Sequence, residues 1–474
     1  MGTTDALTAW ARDPATTPPP HVLERMRLAL LDTLAAQVAG LSADGARQVA
    51  DLVTHWGGRR EATVHATGER VPLHHAALAN ATCARAWDLD DVLEHAFSHV
   101  SGSVVPAALA VTEAVEASGR TVSGRTFLTA VAVGEEALCR LALAPRESFS
   151  VTGASRSYEC GTFGAALTAA RLMGLSEDRA RHAMGLALSM LCGKQQGFLA
   201  GAHTVSLGQG LSAQAGVLAA VMAERGITGA TPDIDVLEGR FGYYFTNHRG
   251  QYDPDGILTG LGTDWRVLDS SIKPLYPCCK FTHTSISATL DAVRDLDGDT
   301  GRIAAIEVAV TDREAYDLAC APESAKRRPA TQAAAQFSMP YAVAVAAVHG
   351  TVGPEHFVPA VLDDPRVLAM VDRVVIRADL DDASRAADRG ALPMPAHVTV
   401  KLRGGEAITG RATVVKGHPQ APMDFADVSE KFRRCAAFAL PNWDGADKVV
   451  ETVAGVLDLA SMDELMGVLP HRPV

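Results

Sequence analysis

The sequence predicts a mainly α protein in which a long helical stretch is followed by a smaller α+β unit and then by a helical tail. Three observations carry this. Apolar residues recur at helical spacing up to about residue 265, short β-branched runs appear among helices between 266 and 415, and helical spacing returns from 416 to 474.

The leader MGTTDALTAWARDPATTPPP is rich in proline and gives way to a stripe of Val22, Met26, Leu30, Leu34 and Val38 that stops at Gly40, an amphipathic helix with a normal end. The small, apolar run from His74 to Ala84 reads as a second, buried helix. Val104-Val105-Pro106 opens a third, with proline placed in its first turn. Further helices are expected at 126–143, 163–175, 178–191 and 211–225, whose alanines and glycines permit close approach. Beyond Asp264-Trp265, the residues Ile306, Val308 and Val310 alternate with Glu307 and Ala309, and 374–377 is another β-branched run. Runs 398–402 and 408–415 flank Gly404-Gly405, a hairpin signal. Helices at 284–293 and 341–348 complete the α+β unit, and the tail holds helices at 425–438 and 448–466. No internal repeat is present.

With 474 residues and 47% hydrophobic composition the chain can bury a large core. A formal net charge of -12 disfavours nucleic acid as a partner, because phosphate binding needs clustered Lys and Arg. The leader carries Asp5, Arg12 and Asp13 and does not read as a signal peptide, and no run is expected to supply the ~20 apolar residues of a membrane span. The expectation is a cytoplasmic protein without a membrane partner. None of the eight cysteines forms a C-x-x-C pair, and adjacent Cys278-Cys279 does not suit a structural disulfide, so they read as reduced core thiols. No glycine-rich nucleotide loop is evident, and no cofactor is expected.

The densest chemistry lies in WDLDDVLEHAFSHVSGS, which packs Asp88, Asp90, Asp91, Glu94, His95 and His99 between two apolar helices, where a pocket wall would sit. A solvated acidic loop has the same composition. Two histidines among the carboxylates favour acid–base work, since imidazole titrates near working pH. Asp90, Asp91, His95 and His99 also resemble a carboxylate–histidine metal set, yet H-E-x-x-H spacing is missing and no metal is expected. Elsewhere Lys194, His203, Lys273, Lys280 and His283 offer cations or proton donors for a carboxylate. Each has a plainer reading: Lys273 a solvated turn residue, His283 a capping or core histidine. His203 falls in a small-residue turn of the kind that exposes N–H groups to anions. His74 and His75 read as structural.

The D-L-D-D…H-x-S-G pattern of this stretch resembles the D-F-D-D…H-P-S-G segment of the MmgE/PrpD family, which includes 2-methylcitrate dehydratase, cis-aconitate decarboxylase and an iminodisuccinate epimerase. Further matching pieces follow in order: Asp32-Thr33-Leu34 to Gly40, Gly161-Thr162-Phe163-Gly164-Ala165-Ala166, and Ile272-Lys273-Pro274 to Cys278-Cys279-Lys280-Phe281-Thr282-His283. Ala335-Gln336-Phe337-Ser338 and the segment from Pro422-Met423 to Lys431-Phe432 complete the series. The resemblance implies a discontinuous helical domain, 1–265 with the tail 416–474 packed back on it, and an inserted α+β domain at 266–415. It implies a homodimer formed through the alanine-rich helices, and a cofactor-independent lyase acting on a carboxylate-bearing small molecule, with an epimerase or a non-catalytic binding protein as alternatives. Under it, Asp88, Asp91, His99, His203 and Lys273 are the expected catalytic residues, and His95, Ser155, Tyr158, Lys194, Lys280 and His283 the expected substrate contacts, meeting in a cleft between the two domains. Three positions depart from the family's dehydratases and decarboxylases. Val92 stands where they have threonine, Ser155 where they have a histidine, and His203 where they have an active-site lysine.

Overall fold

The computed structural model describes residues 2–231, 234–296, 298–378 and 395–471. Its helical part contains α1 (Pro20–Ala39), α2 (Leu73–Arg85), α3 (Ser101–Ala117), α4 (Gly124–Leu143), α5 (Arg156–Met173), α6 (Glu177–Ser189) and α7 (Thr204–Glu224). Of these, α7 is the hub, packing on α2, α5, α6 and α3. It can do so because glycine lets other helices touch its backbone. A Cβ at Gly210 would sit 2.1 Å from Thr82 Oγ1, and one at Gly216 2.6 Å from the carbonyl oxygen of Thr162. By length and composition α7 would also cross a membrane, which corrects the expectation that no segment reaches that threshold; 67% of its apolar window is buried inside the molecule, as befits a core helix.

The later part holds α8 (His283–Val293), α9 (Met339–His349) and a four-stranded sheet. Its strands, β3 (Ile303–Val310), β4 (Val374–Ala378), β5 (Ala396–Leu402) and β6 (Ala407–Ala412), lie in the order β4-β3-β5-β6. The β5–β6 hairpin turns where Gly404-Gly405 predicts it, with Lys401 opposite Ala407. β3 pairs parallel with β4 and antiparallel with β5, and alternation of buried and exposed residues turns one face towards α8. The tail helix α10 (Phe425–Ala439) packs on α1. Its Lys431 Nζ donates to Asp32 Oδ1 (2.5 Å), the Leu89 carbonyl (2.7 Å) and the Lys273 carbonyl (2.8 Å), all buried.

Some element boundaries differ from the sequence reading, for identifiable reasons. α3 begins at Ser101, so Pro106 falls in its second turn; Asp91 makes the early start feasible by accepting from Ser101 N (2.9 Å) and Oγ (2.8 Å). α5 starts at Arg156 and α7 at Thr204, each several residues before its expected start. The expected helix at 448–466 is broken: α11 (Ala446–Ala454) ends at Gly455, and the chain then bonds Leu459 O and Met462 N to Gly124 and Val122 before helix resumes at Asp463–Met466.

Two short strands aim the functional loop. β1 (Val92–Leu93) pairs antiparallel with β2 (Ser270–Ser271), Val92 opposite Ser271, which brings the acidic stretch alongside the segment leading to Lys273.

Candidate active site

The acidic stretch is neither a helix nor a solvated loop. Asp88, Asp90, Asp91 and Glu94 are all buried, and the chain passes through left-handed backbone at Asp88 (φ 51°) and Phe97 (φ 49°), a conformation non-glycine residues adopt only where the surroundings enforce it. At Asp88 those surroundings are cationic. Arg85, the last residue of α2, places a guanidinium nitrogen 2.7 Å from Asp88 Oδ1 and 3.4 Å from Asp90 Oδ1. Lys273 Nζ donates to both the carbonyl and the carboxylate of Asp88. Burial opposes ionisation of Asp88, but Arg85, then Lys273 and His99, outweigh it and hold the carboxyl well below the usual range. Asp90 is likewise held low, burial being outweighed first by His99 and then by Arg85.

His99 lies against this pair. Its Nδ1 is 3.1 Å from Asp90 Oδ2, off the line of an ideal hydrogen bond, and its Nε2 is 3.7 Å from Asp88 Oδ1. The backbone N–H of His99 donates to Ser157 Oγ at 2.9 Å, so the start of α5 sets the position of the imidazole. Arg85, Asp88, Glu94, His99, Ser155 and Lys280 form the polar wall of a narrow cavity of about 50 Å³. Ser157, Gln195, Cys279 and Leu318 also line it, and the rest of the lining is Val92, Phe97, Phe149, Phe198, Phe281 and Phe337. Phe198 arrives from the segment before α7; it stacks on Tyr158 and meets Phe337 edge-on at 5.0 Å.

The candidates from sequence divide clearly. Asp88, His99, Ser155 and Lys280 line the cavity, and Lys273 reaches it through Asp88, so His99 and Lys273 converge on one carboxylate. Tyr158 is buried behind the wall, its hydroxyl donating to the Val205 carbonyl. Asp91 is not a cavity residue: it caps α3 and pairs with Arg25 at 3.4 Å. His95 is exposed, because left-handed Phe97 prevents the helix that would stack it one turn from His99. His203 stands at the N-terminus of α7, its side chain 57% exposed and 3.2 Å from Asp44, and Lys194 is exposed beside Glu159. His283 is fully buried with Nε2 2.9 Å from the Cys278 carbonyl; burial, then Lys273 and Lys280, push its pKa well below the ordinary value, so it is a neutral core imidazole and not an anion binder. Arg85 escapes sequence reasoning, although a lone cation ending an alanine-rich helix three residues before Asp88 is a signal of an i,i+3 ion pair.

Asp88, Asp90 and His99 bring ligand atoms within 4.8 Å of one another, a spacing that would suit a metal ion. Arg85 and Lys273 already engage these carboxylates, so an ion would have to displace a guanidinium or an ammonium group.

Asp91 has a buried neighbour whose titration is testable. Glu135, on α4, is pushed from 4.5 up to about 8, first by burial and then by the charge of Asp91. A raised folded-state pKa means the native protein binds the proton more tightly than the unfolded chain, so stability falls as pH rises from about 4.5 to about 8. Glu135→Gln should remove that fall. Urea unfolding at about pH 5 and about pH 8.5 should show the variant losing less stability between the two than wild type, by a few kcal/mol. Equal losses would show that Glu135 ionises freely.

The MmgE/PrpD N-terminal domain matches residues 5–253 and the MmgE/PrpD C-terminal domain residues 276–454. A cis-aconitate decarboxylase-like protein, oryM, of Aspergillus oryzae is 26% identical over 472 residues, covering 95% of this chain and 93% of that protein. Cis-aconitate decarboxylase of Aspergillus terreus is 26% identical over 364 residues, 73% of this chain and 71% of that protein. The Homo sapiens cis-aconitate decarboxylase is 24% identical over 456 residues, 95% of this chain and 90% of that protein. The two domain matches together cover most of the sequence, and the chain belongs to the MmgE/PrpD family.

Proposed function

We propose that the protein is a lyase that removes carbon dioxide or water from a carboxylate-bearing small molecule without a cofactor, with His99 moving the proton. The observation that carries this reading is the imidazole held at the cavity wall between two buried, ionised aspartates. The closer contact, to Asp90, favours the proton on Nδ1 and leaves the Nε2 lone pair as the base. Once protonated, the same nitrogen is an acid stabilised by Asp88. Arg85 and Lys280 supply positive charge where negative charge develops on the substrate. The names of the relatives make decarboxylation the first reaction to test.

The experiment is proton NMR in deuterated water, with the full chain and a panel of hydroxy, amino and unsaturated carboxylates. Loss of carbon dioxide, with a deuteron gained on the carbon skeleton that the carboxylate leaves, or loss of water, with a C–H proton lost and no deuteron gained, is expected. Exchange without loss would make the protein an isomerase, and no change across the panel would overturn catalysis.

A further inference from the structure

Charge and shape of the cavity say more about the substrate than the reaction does. Three carboxylates, Asp88, Asp90 and Glu94, face three cations, Arg85, Lys273 and Lys280, in direct pairs. The site is therefore balanced before anything binds, and only protonation of His99 would leave it one charge positive. Among the described residues, the further cations expected for a polycarboxylate lie elsewhere: His203 and Lys194 are exposed beside their own acidic partners, and His283 is neutral. Burying a second or third carboxylate in such a cavity would leave it without a counter-charge.

Phenylalanine dominates the rest of the lining, beside Val92, Leu318, Cys279, Ser157 and Gln195. Five of the chain's 13 phenylalanines line it, although they come from segments as far apart as Phe97 and Phe337. Phe97 lies 4.9 Å from Phe281 and 5.8 Å from Phe149, while Phe198 and Phe337 meet across the other side. Val92 adds a methyl-bearing surface to the same wall. A narrow space between ring faces and edges favours a flat ligand, and beside the paired charges it offers a second or third carboxylate only the uncharged donors of Ser155, Ser157 and Gln195.

We propose that the site takes a substrate with one carboxylate on a flat, largely apolar body, aromatic or conjugated, in preference to a di- or tricarboxylate. This rests on the reading of the cavity as the active site, and deepens it. The carboxylate lies towards Lys280 and Arg85 with the adjacent carbon near His99, and the body lies among Phe198, Phe281 and Phe337.

Calorimetric titration of the full chain with trans-cinnamate, cinnamamide and cis-aconitate tests it. Cinnamate should bind at least about tenfold more tightly than cis-aconitate, and cinnamamide, with the same body and no charge, should lose about tenfold or more. Phe198→Ala should weaken cinnamate by a similar factor and leave cis-aconitate unchanged. Binding of cis-aconitate as tightly as cinnamate, or of neither, overturns the proposal. Turnover assays of wild type and His99→Ala on the same carboxylates, run beside the titration, separate the two readings. Cinnamate binding without turnover of any carboxylate would sink the lyase and leave the substrate class standing, whereas His99-dependent turnover of a tricarboxylate would do the reverse.

Discussion

His99→Ala is expected to lower kcat by about 10²–10⁴ and to raise KM by a smaller factor. The two effects follow from position. Protonated, the imidazole is the one charge that the paired site does not already balance, so it helps to hold a carboxylate, whereas the proton it moves is in transit only in the transition state. Asp90→Asn should cost less, because the base survives and only its tautomer and orientation are disturbed. His203→Lys should leave both constants unchanged, since the side chain is exposed and already paired with Asp44. Steady-state kinetics of the three variants on whichever carboxylate turns over will check this. Near-normal kcat in His99→Ala would remove the imidazole from the mechanism.

What the sequence shows and what it hides follow from the range of each interaction. The β5–β6 hairpin is legible because its turn is two glycines between alternating strands, a local signal. The acidic stretch is legible as chemistry because its carboxylates and histidines are adjacent. Its geometry is not, since two left-handed residues decide it: with Phe97 at φ 49°, His95 turns to solvent and His99 to the cavity. Lys273 lies 185 positions from Asp88, and no periodicity links them; the family resemblance does. Nor does any pattern mark the five phenylalanines, which only tertiary packing gathers. His203 misleads because the resemblance fixes a position in the alignment but not the start of α7, and a helix that begins at Thr204 leaves the preceding side chain outside.

Lys431→Met is expected to destabilise the protein by about 3–5 kcal/mol at neutral pH, the usual cost of removing one partner of a buried ion pair. Methionine matches the length of the lysine stem, so little cavity is created, and the loss is electrostatic. It strands Asp32, which is fully buried, together with the carbonyls of Leu89 and Lys273. Those three acceptors come from α1, the acidic stretch and the segment behind β2, so the one ammonium ties the tail to both sides of the candidate site. The pH dependence has a definite sign. Asp32 is raised from 3.8 to about 6, burial being the larger influence and Lys431 opposing it. With a folded-state pKa above the unfolded one, wild-type stability falls as pH rises from about 3.8 to about 6 and then levels off. Removing Lys431 raises that pKa further, so the variant should keep losing stability above pH 6, and the gap between the two proteins should widen from weakly acidic to neutral pH. Lys431→Met combined with Asp32→Leu should recover part of the loss, because no buried charge is then left alone, although the two carbonyls remain without their donor. Urea unfolding of the three proteins at about pH 5 and about pH 7.5 decides it. A loss below about 1 kcal/mol for the single variant, or a gap that does not depend on pH, would mean that water enters and solvates Asp32, and that the tail is held by the apolar face of α10 instead.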